Sequence, residues 1–265
     1  MNTSTRAKLD QHAIAARALM FRTVAGGSCE VMRDWVRAFS SLPIPSFNIF
    51  QPLTAKGLTD ETLADTAAFF YSLDTIYTIE LIHDLFPEGA DYLDQRHYQA
   101  LPPQLAMYLD DSFDSSDIHL NPEVVVEPVA SVPSLTAFCT LLHQVFDYSL
   151  SEIIKFYPVR HLDKEHKSKI HHYLAFIDDQ PVGTGTIICT EGVASIWNVC
   201  TIDDFRQRGV ATTVVHRLLS DAGEHGFQLK MLYSTPYAYR LFDKYGFEMY
   251  TQRQWFLPPG LDYED

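Results

Sequence analysis

No apolar run in this chain approaches the roughly 18 residues that a membrane-spanning helix needs. The stretch from Met1 to Arg22 also lacks the uninterrupted apolar core of a secretion signal. Both absences predict a cytoplasmic protein with no membrane partner. Positive charge is scarce: 20 Lys and Arg stand against 34 Asp and Glu, a net charge of -14. Such a field repels phosphate backbones, and no run of Lys and Arg overrides it, so nucleic acid is excluded as a partner. Cysteine is sparse too. Cys29, Cys139, Cys189 and Cys200 lie far apart without CxxC spacing, which predicts buried free thiols in a reducing compartment. The eleven histidines are scattered. His171 and His172 are neighbours in a strand pattern and so face opposite ways, while His161 and His166 do not form a helical i, i+4 pair; no metal is predicted.

What is present is a globular composition, 46% apolar, 13% aromatic and 20% charged over 265 residues. Area scaling lets a chain of this length bury roughly three quarters of its unfolded surface, enough for one large domain or two small ones. The most polar interval, Asp110 to Asp117, cannot bury itself and is the predicted boundary between residues 1–120 and residues 123–265.

Before that boundary the pattern predicts helices over Thr5 to Leu19 and Glu30 to Phe39, a strand over Phe47 to Leu53, and a helix capped by Thr59-Asp60-Glu61-Thr62. Ile76 to Ile82 fits a strand or a short helix. Beyond the boundary, Val124 to Val126 reads as a strand, and Pro133-Ser134 opens a helix with apolar positions at Leu135, Phe138, Leu142, Val145 and Phe146. A three-strand meander follows, over Tyr173 to Ile177, Val182 to Cys189 and Val193 to Ile202. The period then changes from two to 3.6, with Val210, Val214, Val215, Leu218, Leu219 and Ala222 on one helical face. Leu229 to Tyr233 is a strand, Thr235-Pro236 caps a helix over Tyr237 to Tyr245, Gly246 ends it, and Phe247 to Phe256 is a final strand.

Between the third meander strand and the amphipathic helix lies Asp203-Asp204-Phe205-Arg206-Gln207-Arg208-Gly209-Val210-Ala211-Thr212. A strand that enters a small-residue turn and then a helix points unpaired backbone N–H groups outward beside the positive end of the helix dipole. That is an anion site. Gly209 and Ala211 keep the backbone accessible, Arg206 and Arg208 add local positive charge, and the number of donors suits a diphosphate.

Arg206-x-x-Gly209-x-Ala211 resembles the Q/R-x-x-G-x-G/A pyrophosphate signature of the GNAT superfamily of N-acetyltransferases. Leu241 to Phe247 is similar to a later segment of that family, and Ser195 to Thr201 resembles its fourth strand. The resemblance covers about residues 123 to 265. It implies an α/β (α+β) GNAT fold, a mixed and mostly antiparallel central sheet flanked by helices. It also implies acetyl-coenzyme A as cosubstrate, no metal, and a small-molecule or peptide amine as acceptor. By position, Val199, Cys200 and Thr201 would lend backbone groups to the pantetheine arm. Arg206, Gln207, Arg208, Gly209, Val210, Ala211 and Thr212 would hold the diphosphate, and a backbone amide near Cys200 would polarise the thioester carbonyl.

Two positions depart from the family pattern. Phe242 stands where many members carry the tyrosine that protonates the departing thiolate, and Thr235 stands where an asparagine is frequent. Tyr239, three residues before Phe242, is the replacement acid assigned here, with Tyr237 and Tyr245 as neighbours. Cys200 reads as a small apolar strand residue rather than a nucleophile. The first half carries no such signature, so no second coenzyme site is predicted. Phe47-Asn48 and Leu93 to Tyr98 resemble the back half of a degenerate GNAT domain, with His97 in the place of a glycine. The expected activity is acetyl transfer from acetyl-coenzyme A to a primary amine, a cationic one by the acidity of the chain. The alternative is an acyl-coenzyme A binding or sensing module that has lost catalysis. Oligomeric state is open.

Overall fold

A computed structural model describes residues 1–110 and 118–260. The predicted boundary segment lies, apart from Asp110, outside the described residues. The first part of the chain runs α1 (Thr3–Thr23), β1 (Ser28–Val31), β2 (Trp35–Phe39), β3 (Asn48–Pro52), α2 (Asp60–Ser72), β4 (Thr78–Ile82), α3 (Gly89–Asp94), β5 (Gln99–Ala100) and β6 (Gln104–Leu109). The second runs β7 (Val125–Pro128), α4 (Val132–Phe146), α5 (Leu150–Phe156), β8 (Ile170–Ile177), β9 (Gln180–Thr190), β10 (Val193–Thr201), α6 (Val210–Glu224), β11 (Leu229–Ser234), α7 (Tyr239–Asp243) and β12 (Glu248–Leu257). The fold class is the expected one, α/β with a mixed, mostly antiparallel arrangement of strands.

The chain divides into two compact units whose ends are exchanged relative to the sequence boundary. Met1–Ala16 joins Met107–Met249, and Arg17–Ala106 joins the segment from Tyr250 onward. Residues 1–16 and 250–260 therefore each belong to the unit opposite the one their sequence position suggested.

In the unit built on Arg17–Ala106, β1, β2 and β3 pair antiparallel in order, β3 meets β4 in parallel at Ile49–Thr78 and Phe50–Ile79, and β4 pairs antiparallel with β12. The helix predicted over Glu30 to Phe39 is instead the hairpin of β1 and β2. Its apolar residues fit a helical spacing, but burial alternates with period two, Val36 and Ala38 being buried while Trp35, Arg37 and Phe39 are half-buried. The ladder to β3 decides between the two patterns. The core is aromatic: Phe70 stacks on Tyr77 at 4.7 Å, among Phe50, Leu63, Ile79 and Phe256. Helix α2 begins with a capping box, in which Thr59 Oγ1 accepts from the Thr62 N–H and Thr62 Oγ1 accepts from the Thr59 N–H. Asp60 and Glu61 complement its dipole.

Glu80, on β4, is fully buried in the same unit. One carboxylate oxygen accepts from Arg17 Nη2 at 2.5 Å, and the other accepts from Arg253 Nη1 at 3.1 Å and Trp255 Nε1 at 2.8 Å. Arg17 also donates to Gln51, and Arg253 to Gln104 at 2.7 Å.

In the other unit, β7, β8, β9 and β10 form an antiparallel meander, and β10 meets β11 in parallel. The predicted stripe on α6 is buried, from Val210 to Ala222. Each large apolar side chain there contributes roughly 1.5–3 kcal/mol. The helix lies close on β9 because that strand presents Gly183 and Gly185. A Cβ on the first would fall 2.8 Å from Val210 Cγ1, and one on the second 2.6 Å from Val214 Cγ1. Helix α7 is shorter than predicted: it starts at Tyr239 with Ala238 as N-cap, so Thr235 and Pro236 precede the helix and do not cap it. Gly246 (φ 83°) follows α7 as expected. His97 (φ 62°), which follows α3 in the other unit, takes the left-handed conformation of the glycine it replaces.

Candidate active site

Two strands part at the centre of the site. The parallel ladder of β10 with β11 runs from Val193–Leu229 to Ile196–Leu232 and stops there, although β10 continues to Thr201 and β11 to Ser234. The cause is local. Between Trp197, opposite Thr186, and Cys200, opposite Thr184, two β10 residues face the single residue Gly185. Such a bulge bends its strand and interrupts pairing. Asn198 takes the left-handed conformation there (φ 55°), which asparagine tolerates better than other side-chain-bearing residues. Beyond the ladder, the rings of Trp197 and Tyr233 stand 6.5 Å apart, edge to face.

The turn after β10 forms a second part of the site. Asp203–Phe205 is a single 3-10 turn, Gln207 (φ 61°) and Gly209 (φ 79°) are both left-handed, and α6 starts at Val210. Alternation of this kind makes a concave nest of N–H groups that suits anions. Gly209 has no side chain with which to cap the helix, and its carbonyl accepts the first intrahelical bond, from the Thr213 N–H. The amides of Val210, Ala211 and Thr212 thus precede the intrahelical ladder. Arg206, Gln207 and Arg208 are exposed, Gly209, Ala211 and Thr212 half-buried, and Val210 buried. Arg206 pairs with Asp203 at 2.7 Å and Arg208 with Glu123 at 3.4 Å, both on the surface, where such pairs are weak. Asn121 donates from Nδ2 to the Arg208 carbonyl at 2.9 Å.

Val199, Cys200 and Thr201 lie together on the free stretch of β10. Val199 is half-buried, and the Thr201 hydroxyl oxygen is buried with no hydrogen-bond partner among the described residues. Cys200 is buried, its sulfur 3.0 Å from Thr184 Oγ1, and burial raises its thiol to about 11 despite that hydrogen bond. A thiol so protonated is no nucleophile at neutral pH. Thr235 is exposed just past β11, and its carbonyl accepts from Ser234 Oγ at 2.8 Å.

The tyrosines differ from one another. Tyr239 donates to Asp243 Oδ1 at 3.1 Å, which raises its pKa. Tyr237 is 99% exposed, and Tyr245 is buried with its hydroxyl on the Thr212 carbonyl at 2.6 Å. Phe242 is a core residue, edge to face with Phe247 at 6.0 Å.

Sequence reasoning missed the polar residues behind the bulge. Tyr157, just past α5, donates to Asn198 Oδ1 at 3.2 Å, and Thr186 and Thr184 also bond to Asn198. The histidines are not all scattered: His161 Nδ1 lies 3.0 Å from His172 Nε2, both buried. Burial holds His161 down at about 3 and His172 well below its ordinary value. Two glycines within the β9 strand were the readable signal of close packing; the histidine pair, brought together by the loop after α5, left none. Among the described residues, no group of three or more His, Cys, Asp or Glu could hold a metal ion, and no helix is long and apolar enough to cross a membrane.

Residues 137–247 match the acetyltransferase (GNAT) family. Among solved structures, the chain is similar to a GCN5-related N-acetyltransferase from Kribbella flavida, with TM-score 0.72 and 16% identity over 98% of this chain and 97% of that one. It is also similar to a GCN5-related N-acetyltransferase from Sphaerobacter thermophilus, with TM-score 0.62 and 15% identity over 88% of this chain and 84% of that one. A tandem GNAT protein from the clavulanic acid biosynthesis pathway has TM-score 0.62 and 13% identity over 87% of this chain and 80% of that one. No curated protein matches by sequence. The split strands, the bulge and the turn that suits an anion all lie inside residues 137–247, a C-terminal segment that matches the acetyltransferase (GNAT) family.

Proposed function

We propose that the chain moves an acetyl group from acetyl-coenzyme A to a primary amine by direct attack in a ternary complex. The observation that carries this reading is the parting of β10 from β11 after Ile196 and Leu232, next to the bulge at Asn198. A split of that kind leaves main-chain groups of Val199, Cys200 and Thr201 available to the pantetheine arm. The nest from Arg206 to Thr212 suits the diphosphate, since Gly209 places no side chain there and the start of α6 lacks a side-chain cap. The unpartnered Thr201 hydroxyl fits a ligand along the same strand, and Thr235 closes the opposite side of the split.

In the reaction the neutral amine nitrogen attacks the thioester carbon, the C–N bond forms, the nitrogen gives up a proton to solvent water, which in turn restores the proton that Tyr239 supplies, and the C–S bond breaks. N–H groups at the bulge stabilise the oxyanion. The departing thiolate takes a proton from Tyr239, which its bond to Asp243 keeps protonated at neutral pH. No acyl-enzyme forms. The acidic chain favours a cationic acceptor such as a polyamine, an aminoglycoside or a lysine side chain.

Calorimetry with coenzyme A, followed by thiol release from acetyl-coenzyme A over a panel of those amines, tests the reading. Binding with amine-dependent release supports it, and absence of binding sinks it. The core position of Phe242 favours one second reading, an acyl-coenzyme A sensor, for which binding without release on any amine would speak. Tyr239→Phe should lower kcat at least about tenfold; unchanged turnover removes Tyr239 from the mechanism.

A further inference from the structure

Asn198 is held from three directions. Thr184 Oγ1 donates to its backbone carbonyl at 2.6 Å, Tyr157 donates to its Oδ1 at 3.2 Å, and its Nδ2 donates to Thr186 Oγ1 at 3.2 Å. Behind Thr186 the chain of contacts continues, from Thr186 Oγ1 to His172 Nδ1 at 2.8 Å and from His172 Nε2 to His161 Nδ1 at 3.0 Å. Tyr157, Thr184, Thr186, His172 and His161 are all buried.

The protons along this chain can be counted. Burial keeps both imidazoles neutral, so each carries one N–H. Thr186 accepts from Asn198, which leaves its own proton for His172 Nδ1. His172 then carries its N–H on Nε2 and donates to His161. In this direction each link from Asn198 to His161 has one donor and one acceptor. In the reverse direction Thr186 would accept twice and its proton would have no acceptor among these groups. A satisfied buried chain polarised one way fixes geometry strongly. It is also a poor base, because imidazoles that stay neutral far below pH 7 do not take a proton from an amine.

We infer that Tyr157 and Thr186, with His172 and His161 behind them, are positioning residues for acyl transfer: by fixing the Asn198 carboxamide they hold the β10 bulge in the conformation that presents its N–H groups to the thioester carbonyl. The inference rests on the proposed acetyl transfer and adds the part of the chain that sets its geometry. Small misplacements of groups that stabilise a transition state cost roughly a hundredfold in rate without a matching loss of ground-state binding.

Tyr157→Phe, Thr186→Val and Thr186→Ser, compared with wild type, test it. Coenzyme A affinity is measured by calorimetry, and kcat and KM for acetyl-coenzyme A with the most active amine of the panel. Tyr157→Phe and Thr186→Val should lower kcat at least about tenfold while coenzyme A affinity and KM change less than about threefold, and Thr186→Ser, which keeps the hydroxyl, should restore kcat. Asn198→Gly covers the case in which those variants fail to fold, since glycine accepts the left-handed φ but lacks the carboxamide. It too should lose kcat at least about tenfold with coenzyme A binding kept. Full kcat in Asn198→Gly, or a kcat loss only in step with lost coenzyme A affinity, overturns the positioning role while leaving acetyl transfer standing. A wild-type protein that binds no coenzyme A overturns both.

Discussion

Tyr245 donates its hydroxyl to the main-chain carbonyl of Thr212 across 2.6 Å, linking the segment after α7 to the first turn of α6. Its ring is buried, and burial raises its pKa, so the phenol is a fixed structural donor. Tyr245→Phe removes that donor and should cost about 0.5–1.5 kcal/mol in a denaturant midpoint series, with kcat within about threefold of wild type. A large kcat loss with unchanged stability would return Tyr245 to the list of acids.

Gly209 sits at φ 79°, and a Cβ there would come 3.3 Å from Asn121 Cβ. Gly209→Val therefore strains the turn and places a branched side chain in the nest. Coenzyme A binding should weaken at least about tenfold, or about 1.4 kcal/mol, by calorimetry. Unchanged affinity would move the diphosphate elsewhere.

Cys200→Ala should keep turnover within about threefold of wild type. The thiol is buried and raised to about 11, and what the proposed mechanism takes from residue 200 is its backbone. Abolished turnover in a folded Cys200→Ala protein would show chemistry at the sulfur.

Acid should unfold the unit containing β8 to β10 from about pH 6.5 downward. Burial lowers His12 to about 4 against the opposing Thr190 carbonyl. It lowers His161 to about 3 with help from His166 and Arg160, and His172 well below 6.5 with help from His161 and His171. The unfolded chain binds protons near 6.5 and the folded chain does not, so this stability is fully present above 6.5 and is lost as the pH falls toward the folded values. Each group contributes up to about 1.4 kcal/mol per pH unit inside the window. Fluorescence of Trp197, which lies in this unit, reads the transition; a signal flat from pH 7 to 4 contradicts it.

Glu80 shows the opposite sign of partner. Burial raises its carboxyl, but Arg17, Arg253 and the Trp255 N–H outweigh burial and bring it down to about 2. Its contribution is present above the ordinary 4.5 and is lost as the pH falls toward 2. Glu80→Gln leaves both guanidinium groups without this carboxylate and should cost about 3–5 kcal/mol at pH 7 by thermal or denaturant unfolding. A loss under about 1 kcal/mol would mean that the guanidinium groups find other anions.

Local signals were legible where geometry is local. The glycine turn at Gly209, the buried stripe of α6, the capping box at Thr59 and the left-handed His97 could all be read from neighbouring residues. The hairpin over Ser28 to Phe39 could not, because its apolar spacing fits a helix and only the ladder to β3 selects the strand. The exchange of chain ends between units was equally hidden. His12 in α1 bonds to Thr190, and Arg253 bonds to Glu80, across most of the sequence. Tyr157 meets Asn198 directly and the His161–His172 pair reaches it only through Thr186, by way of a loop that periodicity does not report.

The closed capping box at Thr59 bears on stoichiometry. At the start of α2 the Thr59 and Thr62 amides are taken up by the two threonine side chains, and the carboxylates of Asp60 and Glu61 stand beside them, which disfavours a nucleotide's phosphates there. Among the described residues, three strands hand over to a long helix, after β3, β7 and β10; the first two helices begin with capping boxes at Thr59 and Ser131 and the third starts without a side-chain cap, so under the proposed function a titration should saturate at one coenzyme per chain.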